Sequence, residues 1–109
     1  MSRAASDKTI VLSLGGSIIV PDKVNTKFLK RFKSLIVRLT RRGYCFIIVA
    51  GGGDTARTYQ QAAQNVTPRL SATDLDWIGI AATKLNAELV RAIFGRMAYA
   101  SVLYDPTKK

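Results

Sequence analysis

Two glycine-rich turns and one arginine are the residues of this sequence whose types and spacing could do chemistry. The more distinctive turn, Gly51-Gly52-Gly53, follows an apolar run and stands about one helical turn before Arg57. Glycine lacks a Cβ, so its backbone can take positive φ values and approach a ligand closely. The free N–H groups and positive dipole end of a helix attract phosphate, and a guanidinium can hold two phosphate oxygens. The pattern therefore predicts a phosphate site.

The other turn, Gly15-Gly16-Ser17, also follows an apolar segment. Thr9–Leu14 and residues 44–50 are apolar and rich in β-branched side chains, which predicts two buried strands. In open parallel sheets, ligands bind beyond the carboxyl ends of the strands. If these strands are neighbours, both glycine turns face the same crevice.

The remaining elements follow from spacing and from turn residues. Apolar residues recur at helical spacing after Asn25, a suitable N-cap, and Gly43 can end that helix. We expect Asp54 to cap the next helix, which Pro68 prevents from continuing. The other predicted elements are a helix over residues 54–65, a helix from 71 or 73 to 95, and a strand over 98–103. This alternation predicts an α/β fold, a mainly parallel sheet with helices on both faces.

Composition predicts one domain with a real core and limits its chemistry. The chain has 109 residues, 48% of them apolar, and no apolar run approaches the roughly 18 residues of a membrane span. Residues 1–8 show no secretory signal and are expected to form a disordered tail. The single cysteine, Cys45, favours a reduced, cytoplasmic setting. Histidine is absent and the seven carboxylates form no cluster, so we expect no protein-bound metal.

The charge is strongly positive and concentrated in one segment. The formal net charge is +10, and no acidic residue lies between Asp22 and Asp54. The cations in that segment are Lys23, Lys27, Lys30, Arg31, Lys33, Arg38, Arg41 and Arg42. A nucleic-acid surface is one interpretation, and a solvated helix face that could meet an acidic partner is the other. No aromatic residue is interleaved on the polar side of this segment for base stacking, so the second interpretation is favoured.

Phosphate chemistry can be narrowed further from the motifs. No Gly-x-x-x-x-Gly-Lys-Ser/Thr motif occurs, which excludes a P-loop nucleotide binder. Residues 51–56 fit the Gly-x-Gly-x-x-Ala dinucleotide fingerprint, and Asp74 and Asp76 follow about 20 residues later. That fingerprint needs its acid at the end of the next strand, whereas a proline-containing loop and a helix start occupy this place. We therefore rank the dinucleotide interpretation low.

Three blocks of the sequence together resemble the amino-acid-kinase fold family. They are Leu12-Ser13-Leu14-Gly15-Gly16-Ser17, then Val49-Ala50-Gly51-Gly52-Gly53 with Ala56-Arg57, and Asp76-Trp77-Ile78-Gly79-Ile80-Ala81-Ala82-Thr83. Acetylglutamate, aspartate, carbamate and isopentenyl phosphate kinases would share the two glycine turns. The Asp-x-x-Gly-Ile-x-x-Thr block makes the chain most similar to uridylate (UMP) kinases, especially those of the archaeal type.

This resemblance implies an activity and a set of site residues. The reaction would be transfer of the γ-phosphoryl group from MgATP to UMP, giving UDP in pyrimidine nucleotide biosynthesis. Mg²⁺ would be bound through the phosphates, without protein ligands in this chain. By matching position, the ATP-binding residues would be Gly16, Ser17, Gly53 and Arg57, and the UMP-binding residues would be Gly52 and Asp76. The family fold is a three-layer α/β/α sandwich, usually assembled as a hexamer.

Each of these residues also has a purely structural interpretation. Gly15 and Gly16 can form a tight turn, and Arg57 can be a solvated helix residue. Asp76 can be the acid of a capping box that begins at Thr73. Trp77, beside it, is expected to belong to the core or to an interface.

The sequence also departs from the resemblance. Ser13 stands where archaeal-type members carry aspartate and bacterial-type members carry lysine. Family members are considerably longer, and their second half supplies the uracil-contacting loop, the adenine pocket and the metal-organising aspartate.

We therefore expect residues 1–109 to form a single partial domain, the N-terminal half of the sandwich, with the catalytic residues in the other half. Such a half would be impaired or inactive alone, and its partners would be UMP, ATP and either further copies in a homo-oligomer or a complementary half. We expect neither a membrane nor a nucleic-acid partner. The alternatives are a non-catalytic nucleotide-binding relative, another small-molecule kinase of the family or an RNA-binding basic module.

Overall fold

The computed structural model describes residues 8–98. Its elements are β1 (Thr9–Leu14), α1 (Gly16–Ile19), α2 (Thr26–Arg41), β2 (Cys45–Ala50), α3 (Gly53–Val66), α4 (Ala72–Phe94) and a final 3₁₀ turn (Gly95–Met97). The strands and the three longer helices lie where the sequence predicts them. Residues 1–7 of the predicted tail, and residues 99–103 of the predicted last strand, lie outside the described residues.

β1 and β2 form a parallel pair, as predicted. Their register runs from Thr9 opposite Cys45 to Leu14 opposite Ala50, so the two strands end at the same edge. Just beyond that edge, the amide of Gly51 donates to the carbonyl oxygen of Leu14 at 3.3 Å. Each strand is therefore followed immediately by its glycine turn, and the two turns lie side by side.

α2 and α4 cover one face of this sheet. Alternate strand residues face them, and the shared core contains Leu14, Ile19, Val20, Leu29, Ile36, Val90 and Phe94. Phe32 of α2 meets Phe94 of α4 edge to face, with ring centroids 6.1 Å apart, a favourable geometry for aromatic pairs. Because one core unites both helices with the same strand residues, they lie in one layer.

The opposite face of the sheet is open in the described part of the chain. Val11, Ile47 and Val49 point to that face and are 64%, 53% and 52% exposed. Residues 8–98 thus form two layers, a helical one and a parallel sheet. This confirms the predicted α/β class in its incomplete form, but the expected helices on both faces are not found within these residues.

The two long helices begin and end at the residues that the sequence indicates. The Asn25 side chain accepts a hydrogen bond from the amide of Phe28 at 3.0 Å, and Gly43 follows α2 with φ of 97°. The Ser71 side chain caps α4, and Gly95 ends it with φ of 59°. Within residues 8–98, no helix is long and apolar enough to cross a membrane.

Candidate functional site

The two glycine turns touch each other through their backbones. A Cβ added to Gly16 would lie 2.1 Å from the amide nitrogen of Gly53, and a Cβ added to Gly53 would lie 2.2 Å from the carbonyl carbon of Gly16. Gly53 also has φ of +57°, which side chains disfavour. The close backbone contact therefore explains why both positions are glycine. It also brings the two predicted phosphate turns together.

The first turn is more regular than the sequence suggests. Gly16–Ile19 forms a single turn of helix, α1, where the sequence analysis predicted only a glycine turn. Ile19 is fully buried and anchors this turn in the core. The contact with Gly53 leaves no room for a side chain at Gly16, so the turn is shaped by its neighbour as well as by its own sequence.

α3 begins at the second turn without a side-chain cap. Gly52 is the N-cap residue, and no side chain accepts from the first amides of the helix. The expectation that Asp54 caps α3 is therefore wrong, because the helix starts one residue before it. The uncapped N–H groups of the first turn remain suited to an anion.

Arg57 joins the two turns. Its Nη2 donates to the Ser17 hydroxyl at 3.0 Å and also to the Asp54 carboxylate. The Arg57 side chain is 62% exposed, and an exposed ion pair contributes little to stability. The guanidinium thus lies between the two turns and is held there by contacts that a phosphate could replace at small cost.

Asn86 is a site residue that the sequence analysis missed. It is only 2% exposed, and its Nδ2 donates to the carbonyl oxygens of Gly51 and Gly52 at 2.8 and 3.2 Å. A signal was present, because Asn86 lies on the apolar stripe of α4 between Ala82 and Val90, which are both buried. Buried polar side chains need hydrogen-bond partners, and here those partners are the glycine turn.

Asp76 lies on α4, in an open pocket beside the second turn. The pocket has a volume of about 560 Å³ and is lined by Gln60, Asp76, Gly79, Ile80, Thr83 and Lys84. A Cβ added to Gly52 would lie 3.3 Å from Thr83 Oγ1, which shows that the pocket adjoins the glycine turn. Asp76 and Thr83 are separated by about two helical turns and so share this side of α4.

The capping-box interpretation of Asp76 is wrong. Ser71 caps α4, its hydroxyl accepts from the amide of Asp74 at 3.0 Å, and it donates to the Asp74 carboxylate at 3.0 Å. The acid that contacts the cap of α4 is therefore Asp74, and Asp76 is left without that structural role. Trp77 is 62% exposed, so it does not belong to the core of the described chain.

Two further predictions concern metals and the basic segment. Across residues 8–98, no group of three or more acidic or thiol side chains could hold a metal ion. Salt bridges of the same residues join Arg57 to Asp54 and Arg91 to Glu88, and neither of these two pairs involves a cation of α2. A basic groove runs along α2 and is lined by Lys30, Lys33, Ser34, Val37, Arg38 and Arg41. The absence of a nucleic-acid partner stays a prediction.

The sequence of this chain is similar to those of known proteins. The chain is 36% identical over 96 residues to a uridylate kinase of Thermococcus gammatolerans, covering 88% of this chain and 41% of that protein. It is 38% identical over 100 residues to a uridylate kinase of Methanospirillum hungatei, covering 92% of this chain and 41% of that protein. The chain thus spans about two fifths of the length of these relatives.

A solved structure agrees with the sequence matches. The crystal structure of uridylate kinase from Archaeoglobus fulgidus superimposes with a TM-score of 0.65 at 35% identity, covering 81% of this chain and 38% of that one. Residues 8–109 match the model of the amino acid kinase family. The paired glycine turns and the parallel strands that carry them fall within this match, and the chain belongs to the amino acid kinase family.

Proposed function

We propose that this chain supplies the phosphate-binding part of a nucleoside monophosphate kinase, which transfers the γ-phosphoryl group of ATP to UMP. The observation that carries the proposal is the backbone contact between Gly16 and Gly53, with Arg57 spanning the two turns. Phosphoryl transfer asks a protein chiefly to position two phosphates and to neutralise their charge. Two adjoining amide-rich turns with one guanidinium between them suit that task. The relatives named uridylate kinase support UMP as the acceptor.

The roles proposed for the site residues are those that the resemblance to uridylate kinases implies. Gly16 and Ser17, at the first turn, would line the triphosphate of ATP, and their amides can donate without adding bulk. Gly52 would bind the phosphate of UMP. Gly53 and Arg57 would lie between acceptor and donor phosphates, where a forked guanidinium can contact oxygens of both.

Magnesium is proposed to bind at this site through the phosphates. The Asp54 carboxylate is engaged by Arg57, and residues 8–98 contain no metal-binding cluster. A bound Mg²⁺ would neutralise phosphate oxygens during transfer. The residues of this chain would meanwhile bind and orient the phosphates, and they would hold no metal directly.

Asp76 is proposed to bind the ribose of UMP. A carboxylate accepts hydrogen bonds from sugar hydroxyls, and Asp76 lies in the pocket that adjoins Gly52. In the variant Asp76→Asn we expect the dissociation constant for UMP to rise about tenfold, which corresponds to one hydrogen bond to a charged group. Affinity for inorganic phosphate should not change. Isothermal titration calorimetry with each ligand measures both quantities.

The matched control for Asp76 is Asp74→Asn on the same helix. Asp74 serves the N-terminal cap of α4, so this variant should alter stability slightly and leave UMP affinity unchanged. If UMP affinity fell equally in both variants, Asp76 would have no specific role in binding the sugar.

The groups that read the uracil and adenine bases are proposed to lie outside residues 8–98, in a longer chain, a complementary chain or another copy in a homo-oligomer. A reduced, cytoplasmic setting is proposed from the single cysteine.

A coupled assay of ADP release with UMP, ATP and Mg²⁺ tests whether essential groups are missing. We expect no robust turnover by the 109-residue chain, together with weak UMP binding. Robust turnover would show that all catalytic groups are already present.

UMP binding also separates this proposal from its main alternative. A non-catalytic relative that only binds phosphate groups need not distinguish nucleosides, whereas a UMP kinase needs a ribose contact next to the phosphate turn. Titration with UMP, ATP and inorganic phosphate is therefore informative. We expect UMP to bind more tightly than phosphate, and equal affinities would favour a general phosphate-binding relative.

A further inference from the structure

Asn86 has contacts that its place in the core does not explain. It is the buried polar side chain of α4, with 2% of its surface exposed, and burying an amide is unfavourable unless its hydrogen bonds are satisfied. An aliphatic side chain would fill the same space between the buried Ala82 and Val90 without that requirement. The presence of an amide at this buried position is therefore explained by its two hydrogen-bond acceptors.

Both acceptors are carbonyl oxygens of the second glycine turn. Asn86 Nδ2 lies 2.8 Å from the carbonyl oxygen of Gly51 and 3.2 Å from that of Gly52. Each carbonyl belongs to the peptide plane that also carries the next N–H group, so the two planes carry the N–H groups of Gly52 and Gly53. In a trans peptide, C=O and N–H point in opposite directions, and the described chain contains no cis peptide. Holding both carbonyls toward α4 therefore directs both N–H groups away from it.

This restraint matters because the turn consists of glycine. Glycine adopts positive and negative φ about equally readily, so successive glycine peptides can rotate at little cost. The carbonyl oxygen of Gly52 also accepts from the amide of Ala56 at 3.3 Å, in the first turn of α3. The carbonyl oxygen of Gly51 lies outside α3, where the helix cannot fix it, and there Asn86 makes its shorter hydrogen bond.

We propose that Asn86 is a positioning residue, which fixes the two peptide planes between Gly51 and Gly53 so that their N–H groups meet phosphate. The identity of the ligand rests on the proposed function, whereas the orientation of the planes does not. Amides that are already oriented bind an anion without first losing conformational freedom. Asn86 would thus act on phosphate affinity from behind the turn, without touching the ligand.

The test uses the 109-residue chain, labelled with ¹⁵N, and two variants. Asn86→Leu keeps roughly the same shape but removes the donor. Val90→Ala is the matched control, one turn further along the same face, where the side chain is 5% exposed and packs in the core. Both variants should lower thermal stability, because each disturbs a buried position of α4.

The first readout needs no ligand. We expect the amide residual dipolar couplings of Gly52 and Gly53 to change in Asn86→Leu and to remain unchanged in Val90→Ala. The second readout is titration with inorganic phosphate and with UMP. We expect both dissociation constants to rise about tenfold in Asn86→Leu, the size of one net hydrogen bond, and to stay constant in Val90→Ala.

The outcomes separate this inference from the proposed function. Unchanged couplings at Gly52 and Gly53 in folded Asn86→Leu would overturn it, as would equal loss of affinity in Val90→Ala. If the parent chain bound neither phosphate nor UMP, the proposed function would fail, and the ligand-free couplings would still decide the role of Asn86. Should Asn86→Leu not fold, Asn86→Ala is measured in its place with the same expected results.

Discussion

Replacing Gly16 with alanine is expected to separate the two glycine turns and to weaken phosphate binding. The new Cβ would lie 2.1 Å from the amide nitrogen of Gly53 and 2.6 Å from the carbonyl carbon of Gly52. Backbone atoms cannot yield as a flexible side chain can, so α1 and the start of α3 must move apart. Such overpacking costs about 1–3 kcal/mol. Urea unfolding should show this loss of stability, and phosphate titration should show a loss of affinity of about tenfold or more.

Gly15→Ala is the matched control for Gly16→Ala. A Cβ on Gly15 would lie 3.9 Å from Ile18 Cδ1, an ordinary contact. The backbone angles of Gly15, φ −56° and ψ 142°, are also ones that alanine adopts. We expect its stability to change by about 0.5 kcal/mol or less and its phosphate affinity to be unchanged. Equal effects of the two substitutions would show that the contact between the turns is unimportant.

Removing the guanidinium of Arg57 is expected to reduce phosphate affinity strongly while barely changing stability. Hydrogen bonds to charged groups contribute about 1.5–3 kcal/mol, so Arg57→Ala should raise the dissociation constant for phosphate about ten- to hundredfold. The ion pair with Asp54 has side chains that are 62% and 36% exposed, and pairs of this kind contribute about 1 kcal/mol or less to folding. Calorimetric titration and thermal unfolding of the same samples measure the two effects.

Arg91→Ala is the corresponding control. Arg91 pairs with Glu88 at the same i, i+3 spacing as Arg57 pairs with Asp54, but it lies in the last turn of α4 rather than on α3. We expect a similarly small change in stability and no change in phosphate affinity. If Arg57→Ala bound phosphate as well as Arg91→Ala did, Arg57 would be a solvated helix residue, as one interpretation of the sequence holds.

The framework of the fold could be predicted because its signals are local. Short apolar, β-branched segments identify β1 and β2, and their parallel pairing follows from the crossover helix between them. Asn25 and Ser71 cap helices through hydrogen bonds to amides three residues later, which depend only on nearby sequence. These features need no knowledge of distant contacts.

The features that the sequence analysis missed depend on neighbours. The glycines after β1 predicted a turn but not the helical turn α1, in which Ile19 is buried and Gly16 contacts the second turn. Asp54 is a favourable capping residue by type, yet Gly52 takes the cap position because the glycine turn enters the helix earlier. At α1 and at the start of α3, packing therefore determines the local structure more than the intrinsic preferences of the residues do.

The site itself shows the same division. The sequence predicted which turns meet, since both follow parallel strands at one edge of the sheet. It did not predict that Arg57 contacts Ser17 or that Asn86 contacts the second turn, because these pairs lie 40 and 34 or more residues apart. A polar residue within an apolar helical stripe is the one sequence signal that could have identified Asn86.

The measurement that tests the central claim most directly is an NMR titration of the ¹⁵N-labelled 109-residue chain with inorganic phosphate and with UMP. If the two turns form one anion site, the amides of Gly16, Ser17, Gly52 and Gly53 should shift together, with a single dissociation constant for each ligand. Shifts confined to one turn, shifts only along the basic face of α2, or no shifts at all would contradict the account.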